Sequence, residues 1–188
     1  MSEQFTFVDS TALVSKLTLW EERDKAIQAG YEKLNNEVLP EVSHDKEARI
    51  GSKGKNKFWY GYKSHTAVDM NSGMISAVNV TPANVDDPEG SRSILPTQGY
   101  VFGDKGYVGM IEDVILRGAI PRIILRNKML EKDSGRDREI SRRRSPFERV
   151  FSKRNKRVRY AGTAKNQFAE YLVAIAFNLR RLIVISPI

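Results

Sequence analysis

Two strand-like runs, Phe58 to Asp69 (FWYGYKSHTAVD) and Met74 to Thr81 (MISAVNVT), flank the tripeptide Asn71-Ser72-Gly73, and this arrangement most narrows the folds open to the chain. Asn and Gly tolerate positive φ, so the tripeptide is hairpin turn chemistry and the runs predict neighbouring antiparallel strands. The chain then changes rhythm. Asp86 to Leu95 predicts a short helix with an Asp cap and Pro88 in its first turn. Gly99 to Lys105 predicts a short apolar strand ending at Asp104, Gly109 to Gly118 a helix closed by Gly118, and Pro121 to Arg126 another strand. Ahead of the hairpin, Phe5 to Val14 is rich in Phe, Val and Thr and predicts the first strand. A hairpin followed by strand–helix–strand crossovers implies an α/β fold, a mixed five-stranded sheet flanked by helices.

The length, 188 residues, suits one domain over 1–188 with a real core. Leu19 to Val38 predicts a helix, because Ile27, Tyr31, Leu34 and Val38 recur at spacings of 4, 3 and 4. The polar, glycine-interrupted stretch over 40–57 predicts a flexible loop, and 127–140 a charged one. Ser141 to Val158 and Thr163 to Ile185 predict two further helices. In the last, Phe168, Tyr171, Leu172, Ile175, Leu179 and Leu182 fall on one stripe, which predicts a buried face.

Cysteine is absent and the only histidines are His44 and His65, so thiolate and multi-histidine metal sites are excluded. Any metal must be hard and oxygen-bound, such as Mg²⁺ or Mn²⁺. The N-terminus has no signal-peptide pattern and the longest apolar stretch, Tyr171 to Phe177, is short of a bilayer span, so a soluble cytoplasmic protein is expected. Between Arg136 and Arg159 eleven basic residues face three acidic ones, a net +8 that equals the charge of the whole chain. Charge clustered in this way favours a nucleic acid partner.

Three carboxylates stand where a carboxylate needs an explanation. Asp9 interrupts an apolar strand, Asp104 ends one, and Glu148 lies inside the basic run. At about 100° per helical residue, Arg144, Glu148, Ser152 and Asn155 form a polar edge beside an apolar stripe of Phe147, Phe151 and Val158. Glu148 is therefore expected at the border of the core, facing the sheet ends.

The order strand-Asp, strand-Asp, helix-Glu resembles the DDE transposases of bacterial insertion sequences, whose catalytic domain is RNase H-like. Val8-Asp9-Ser10-Thr11 resembles the first-Asp motif, and Gly103-Asp104-Lys105-Gly106-Tyr107 the second. Arg144 with Glu148-Arg149-Val150-Phe151-Ser152 resembles the Arg-x-x-x-Glu helix. Asp45-Lys46-Glu47-Ala48-Arg49, Gly61-Tyr62-Lys63-Ser64-His65, Thr81-Pro82-Ala83-Asn84-Val85-Asp86-Asp87 and Tyr160-Ala161-Gly162 fit the same family in the same order. Ser141 and Asn155 depart from it, standing where the family often has Tyr and Lys.

The resemblance implies a catalytic and metal-binding set of Asp9, Asp104 and Glu148 holding two Mg²⁺ or Mn²⁺ ions, with double-stranded DNA as substrate. It also implies a homodimer on DNA. The family's N-terminal domain, which reads the element's ends, is expected to be absent here or supplied by a separate reading frame. The residues expected to contact DNA are Arg142, Arg143, Arg144, Arg149, Lys153, Lys156, Lys63, His65 and Lys105, joined by Lys53, Lys55 and Lys57. Trp59 and Tyr60 are expected in packing, and Asp69 in a turn. Two other readings stay open: an RNase H-like endonuclease without strand transfer, and an inactive basic DNA-binding remnant.

Overall fold

The computed structural model describes residues 3–15, 36–37, 39–53, 57–152 and 156–186. The helix expected over Leu19 to Val38 lies outside the described residues, apart from Asn36 and Glu37. Six strands form one mixed sheet: β1 (Phe5–Val14), β2 (Arg49–Lys53), β3 (Lys57–Asp69), β4 (Ile75–Pro82), β5 (Tyr100–Gly103) and β6 (Ile120–Ile123). The path β2-β3-β1-β5-β6 runs across it, and β4 pairs with β3. β1 is antiparallel to β3 and parallel to β5, and β5 is parallel to β6. This is the mixed sheet of an RNase H-like fold.

The sequence predicts five strands, and the sixth, β2, comes from the stretch expected to be a loop. β3 is 13 residues long, so its first part extends beyond β4 and pairs with β2 (Ile50 opposite Tyr60, Gly51 opposite Trp59). The rest of 40–57 is also ordered where described. Helix α1 (Leu39–Val42) precedes Asp45, whose buried carboxylate accepts from Ser15 Oγ at 3.0 Å and Tyr62 OH at 2.7 Å.

The β3–β4 hairpin turns as its chemistry requires. Asp69 accepts from the amides of Asn71 and Ser72 and from Ser72 Oγ, and Gly73 has φ 72°. After it come α2 (Asp87–Ser91), a 3-10 turn (Lys105–Met110) running into α3 (Ile111–Leu116), and Gly118 at φ 89° closing α3. One core layer, with Val8, Val101, Met110, Val114 and Ile123, lies under α3. The other, with Phe7, Val68, Val78, Phe102 and Ile140, lies under the long helices α4 (Ser134–Ser152) and α5 (Thr163–Ile185).

α4 begins at Ser134 rather than at Ser141, so much of the expected 127–140 loop is helical. Asp133 is the reason, since its carboxylate accepts from the amides of Gly135 (2.7 Å) and Arg136 (3.3 Å), which are free at a helix start.

α5 has the expected bounds but the opposite orientation. Asn166, Glu170 and Ala174 face the protein, while Phe168, Tyr171, Leu172, Ile175, Leu179 and Leu182 are 43–64% exposed. The helix lies along the edge of β4, where unpaired peptide groups need partners. Gln167 bonds Val80 N (2.6 Å) and Val78 O (3.1 Å), and Asn178 bonds Ile75 N and O (both 2.8 Å). Ser64 donates to Glu170 at 2.7 Å, and Arg181 donates to Ser72 O at 2.8 Å. Polar side chains thus complete the edge strand, and the apolar stripe is turned outward. No described helix is long and apolar enough to cross a membrane.

Candidate active site

Strand register brings Asp9 and Asp104 to one place. In the parallel β1–β5 pair, Phe5 lies opposite Tyr100, Thr6 opposite Val101 and Phe7 opposite Phe102. Each aspartate lies two residues past that last pair, so Asp104, just beyond the carboxyl end of β5, stands level with Asp9 inside β1, where β1 runs on past the end of β5. Asp104 caps the 3-10 turn, accepting from Gly106 N at 2.7 Å. Asp9 follows the fully buried Val8 and accepts from Ser10 N at 2.8 Å. Both line an open groove of about 580 Å³, together with Lys53, Asp87, Lys105 and Arg126.

The two carboxylates feel one another. Burial pushes the Asp9 carboxyl up to about 6; the Ser10 amide opposes the rise, the negative charge of Asp104 adds to it, and Lys53 and Arg144 oppose it.

Arg144 links this pair to Glu148. Ile140, Phe147 and Val150 dock α4 on the sheet beside Phe7 and Phe102. That docking buries Arg144 to 8% exposure, with its guanidinium 5.1 Å from the centre of the Phe7 ring. One turn on, Glu148 Oε1 lies 3.4 Å from Arg144 Nη2, and the Glu148 side chain is 56% exposed. Asp9 and Asp104 are brought together, and Glu148 stands one ion pair away. No group of three acidic or histidine side chains is close enough to hold a metal among the described residues.

The family described as the Transposase DDE domain matches residues 2–179. This chain belongs to that family. A transposase for insertion sequence element IS1106 from Neisseria meningitidis serogroup B is 30% identical over 188 residues, covering 92% of this chain and 62% of the relative. The chain therefore spans less than two thirds of that relative's length. No solved structure matches it.

In this DDE domain the expected DNA contacts divide. Lys105 lines the groove, and Arg142 and Lys156 are exposed. Arg143 is half-exposed, pairs with Glu139 at 2.9 Å and lies 6.0 Å over the Phe5 ring. The side chains of Arg149, Lys153 and Lys57, and the whole of Lys55 and Asn155, lie outside the described residues.

Lys63 and His65 are corrected: they share a face of β3, and that face points inward. Lys63 donates to Val85 O at 2.8 Å and pairs with Asp87 at 3.1 Å. His65 is fully buried, with Nε2 2.8 Å from Thr81 Oγ1 and Nδ1 3.4 Å from Ser91 Oγ. Burial pushes its pKa down to about 4, with Asp87 opposing and Lys63 reinforcing the shift. Both residues brace α2 against the sheet. Tyr60 is buried against Ser43 and Asp45, and Trp59 donates to Tyr62 O at 3.1 Å, so both serve packing.

The sequence reading missed Asp87 and Arg126 as groove residues. Asp87 lies within the Thr81–Asp87 string that fits the family, and Arg126 lies three residues past the end of β6, on the same side of the sheet ends as Asp104 after β5.

The groove suits a hard divalent cation. Its donors are carboxylate oxygens, and such an ion would relieve the burial of the Asp9 charge and its repulsion by Asp104.

Proposed function

We propose that this chain is the catalytic domain of an insertion-sequence transposase that cuts and joins DNA. The observation that carries the reading is the β1–β5 register, which sets Asp9 and Asp104 side by side in a groove flanked by Lys53, Lys105 and Arg126. Asp9 and Asp104 would hold the Mg²⁺ or Mn²⁺ ions, and Glu148 would complete the donor set. When bound, two such ions activate an attacking oxygen and stabilise the leaving one.

The protein's own groups bind and orient. Lys53, Lys105 and Arg126 attract the DNA backbone into the groove, an affinity that falls with salt. Arg144 is held by Phe7 and positions Glu148; at 3.4 Å the contact is long enough to release that carboxylate easily. Water attacks the phosphodiester and the bond to the 3′-oxygen breaks, freeing a 3′-hydroxyl. That hydroxyl then attacks a target phosphodiester and displaces a second 3′-oxygen. Joining two ends of an element calls for two copies of the chain on double-stranded DNA.

The test is nicking of duplex DNA with Mg²⁺ or Mn²⁺ by the wild type and by Asp104→Asn. Loss of nicking in the variant supports the assignment, and equal activity in both refutes it. Pre-cleaved ends supplied with target DNA separate a transposase from a plain endonuclease, since only the transposase joins them.

A further inference from the structure

The outward stripe of α5 is a surface in search of a function. Phe168, Leu172, Ile175, Leu179 and Leu182 recur at spacings of 4, 3, 4 and 3, the 3.5-residue repeat that keeps one seam of a helix facing another helix. Ten large hydrophobic side chains of α5 are exposed. Eight of them lie on the seam or beside it, Val173 and Val184 falling on the far side of the helix, and at roughly 80 Å² from each half-exposed side chain these eight present about 640 Å². That approaches the roughly 800 Å² one partner contributes to a standard protein interface and stands at the upper end of the largest apolar patches of ordinary monomers.

Charge selects the occupant. The chain carries +8, so two copies repel over much of their surface. The positions flanking the seam, Ala169, Tyr171, Ala176, Asn178, Ile183 and Ile185, carry no charge. From Phe168 to Leu182 no like charges therefore meet when the stripe faces itself, and the two alanines allow close approach; Lys165, one step before Phe168 on the same seam, disfavours a parallel pairing and leaves the antiparallel one. A membrane-surface helix would instead line these flanks with Lys and Arg.

We propose that this stripe is the contact between two copies of this chain, packed helix to helix. It names the surface for the two-copy assembly of the proposed transposase and rests on that reading only for its use. The contact itself needs neither DNA nor the groove carboxylates. The polar face of α5 is occupied by β4, so the stripe is free to pair without disturbing the fold.

The absence of cysteine allows a direct test in the full chain. Ile175 is the midpoint of Phe168 and Leu182, so it meets its own copy whether the two helices run parallel or antiparallel. In Ile175→Cys, mild oxidation is expected to yield a disulfide-linked dimer, while Ile115→Cys, on the exposed side of α3, stays monomeric. Sedimentation without DNA is expected to give a wild-type dimer. The double variant Leu172→Lys/Leu179→Lys is expected to be monomeric, its dimer weakened at least about 100-fold by unpaired buried charge, and to melt with wild type diluted until it too is monomeric. A monomeric wild type overturns the proposal, as does a double variant that still dimerises. A double variant that melts well below diluted, monomeric wild type also overturns it, because the stripe is then covered by its own chain. Binding of wild type to anionic vesicles without dimerisation would assign the surface to lipid instead. Nicking by the wild type is read separately, so loss of the dimer and loss of the catalytic reading are distinguishable.

Discussion

Substituting Asp45 tests whether one buried carboxylate holds three parts of the fold together. Asp45 is 1% exposed. It accepts from Ser15 Oγ at 3.0 Å, Tyr62 OH at 2.7 Å and Gly162 N at 3.2 Å, tying the residue after β1 and the middle of β3 to the residue before α5. It also accepts from the amides of Glu47 and Ala48, each at 3.3 Å. Asp45→Ala removes the acceptor while Tyr62, Ser15 and Ala48 stay buried. A buried donor left without a partner costs about 1–3 kcal/mol. Gly162 N keeps Tyr62 OH as an acceptor at 3.2 Å while the Tyr62 hydroxyl proton loses its own, and some of the rest relaxes, so a total loss of about 3–5 kcal/mol is expected. For a chain of this size that lowers the melting temperature by about 10 °C. Asp45→Asn keeps one oxygen and is expected to cost about half as much. Equilibrium urea unfolding measures both. A loss below about 1 kcal/mol for the alanine variant would refute the idea that these bonds are satisfied only by Asp45. Asp45 does not line the groove, so metal-dependent nicking below the melting transition should survive in either variant.

His65 has a folded pKa of about 4 against an ordinary 6.5, so the unfolded chain binds more protons between those values. Stability contributed by the neutral ring is complete above pH 6.5 and falls as pH drops toward 4, by up to about 3 kcal/mol; urea titrations across this window should show the slope, and His65→Gln should remove it. Asp9 has the opposite sign: its folded pKa is raised to about 6, so its ionised form strains the metal-free fold at neutral pH. Asp9→Asn is expected to stabilise the metal-free protein at pH 7.5 by about 1–3 kcal/mol while abolishing nicking, and a destabilised, inactive variant would contradict this. A Cβ at Gly90 would fall on the His65 ring, so Gly90→Ala is expected to cost at least about 1–3 kcal/mol in urea unfolding.

Local chemistry made much of the fold legible. The Asn71-Ser72-Gly73 turn, Pro88 in the first turn of α2 and Gly118 each determine a backbone conformation within a few residues, and each is where the pattern puts it, although Asp86 at the start of α2 makes no side-chain capping bond. The same holds for Asp9 and Asp104, because a carboxylate inside an apolar strand or just past its end has few structural explanations. What failed depended on partners distant in sequence. β2 was hidden because nothing in Arg49–Lys53 reveals how far β3 extends past β4. Lys63 and His65 alternate correctly along β3, but alternation cannot tell which face α2 covers. Only Gly90, set against the imidazole, and Asp87, paired with Lys63, decide that.

α5 carries this argument furthest. The rule that an apolar stripe marks the buried face assumes that a helix docks on the face of a sheet. Here it docks on an edge, where peptide groups rather than side chains must be matched. Eleven residues separate Gln167 from Asn178. At about 1.5 Å per helical residue that is roughly 16 Å, comparable with the run of β4 from Ile75 to Val80 at about 3.3 Å per residue. Two amide side chains at this spacing therefore satisfy both ends of an open strand edge, and apolar residues at their positions would leave it unpaired. Once the edge fixes which face turns inward, the heptad-spaced stripe has to turn outward. The feature that misled the reading of α5 is thus the same one that leaves a charge-free surface for a second copy.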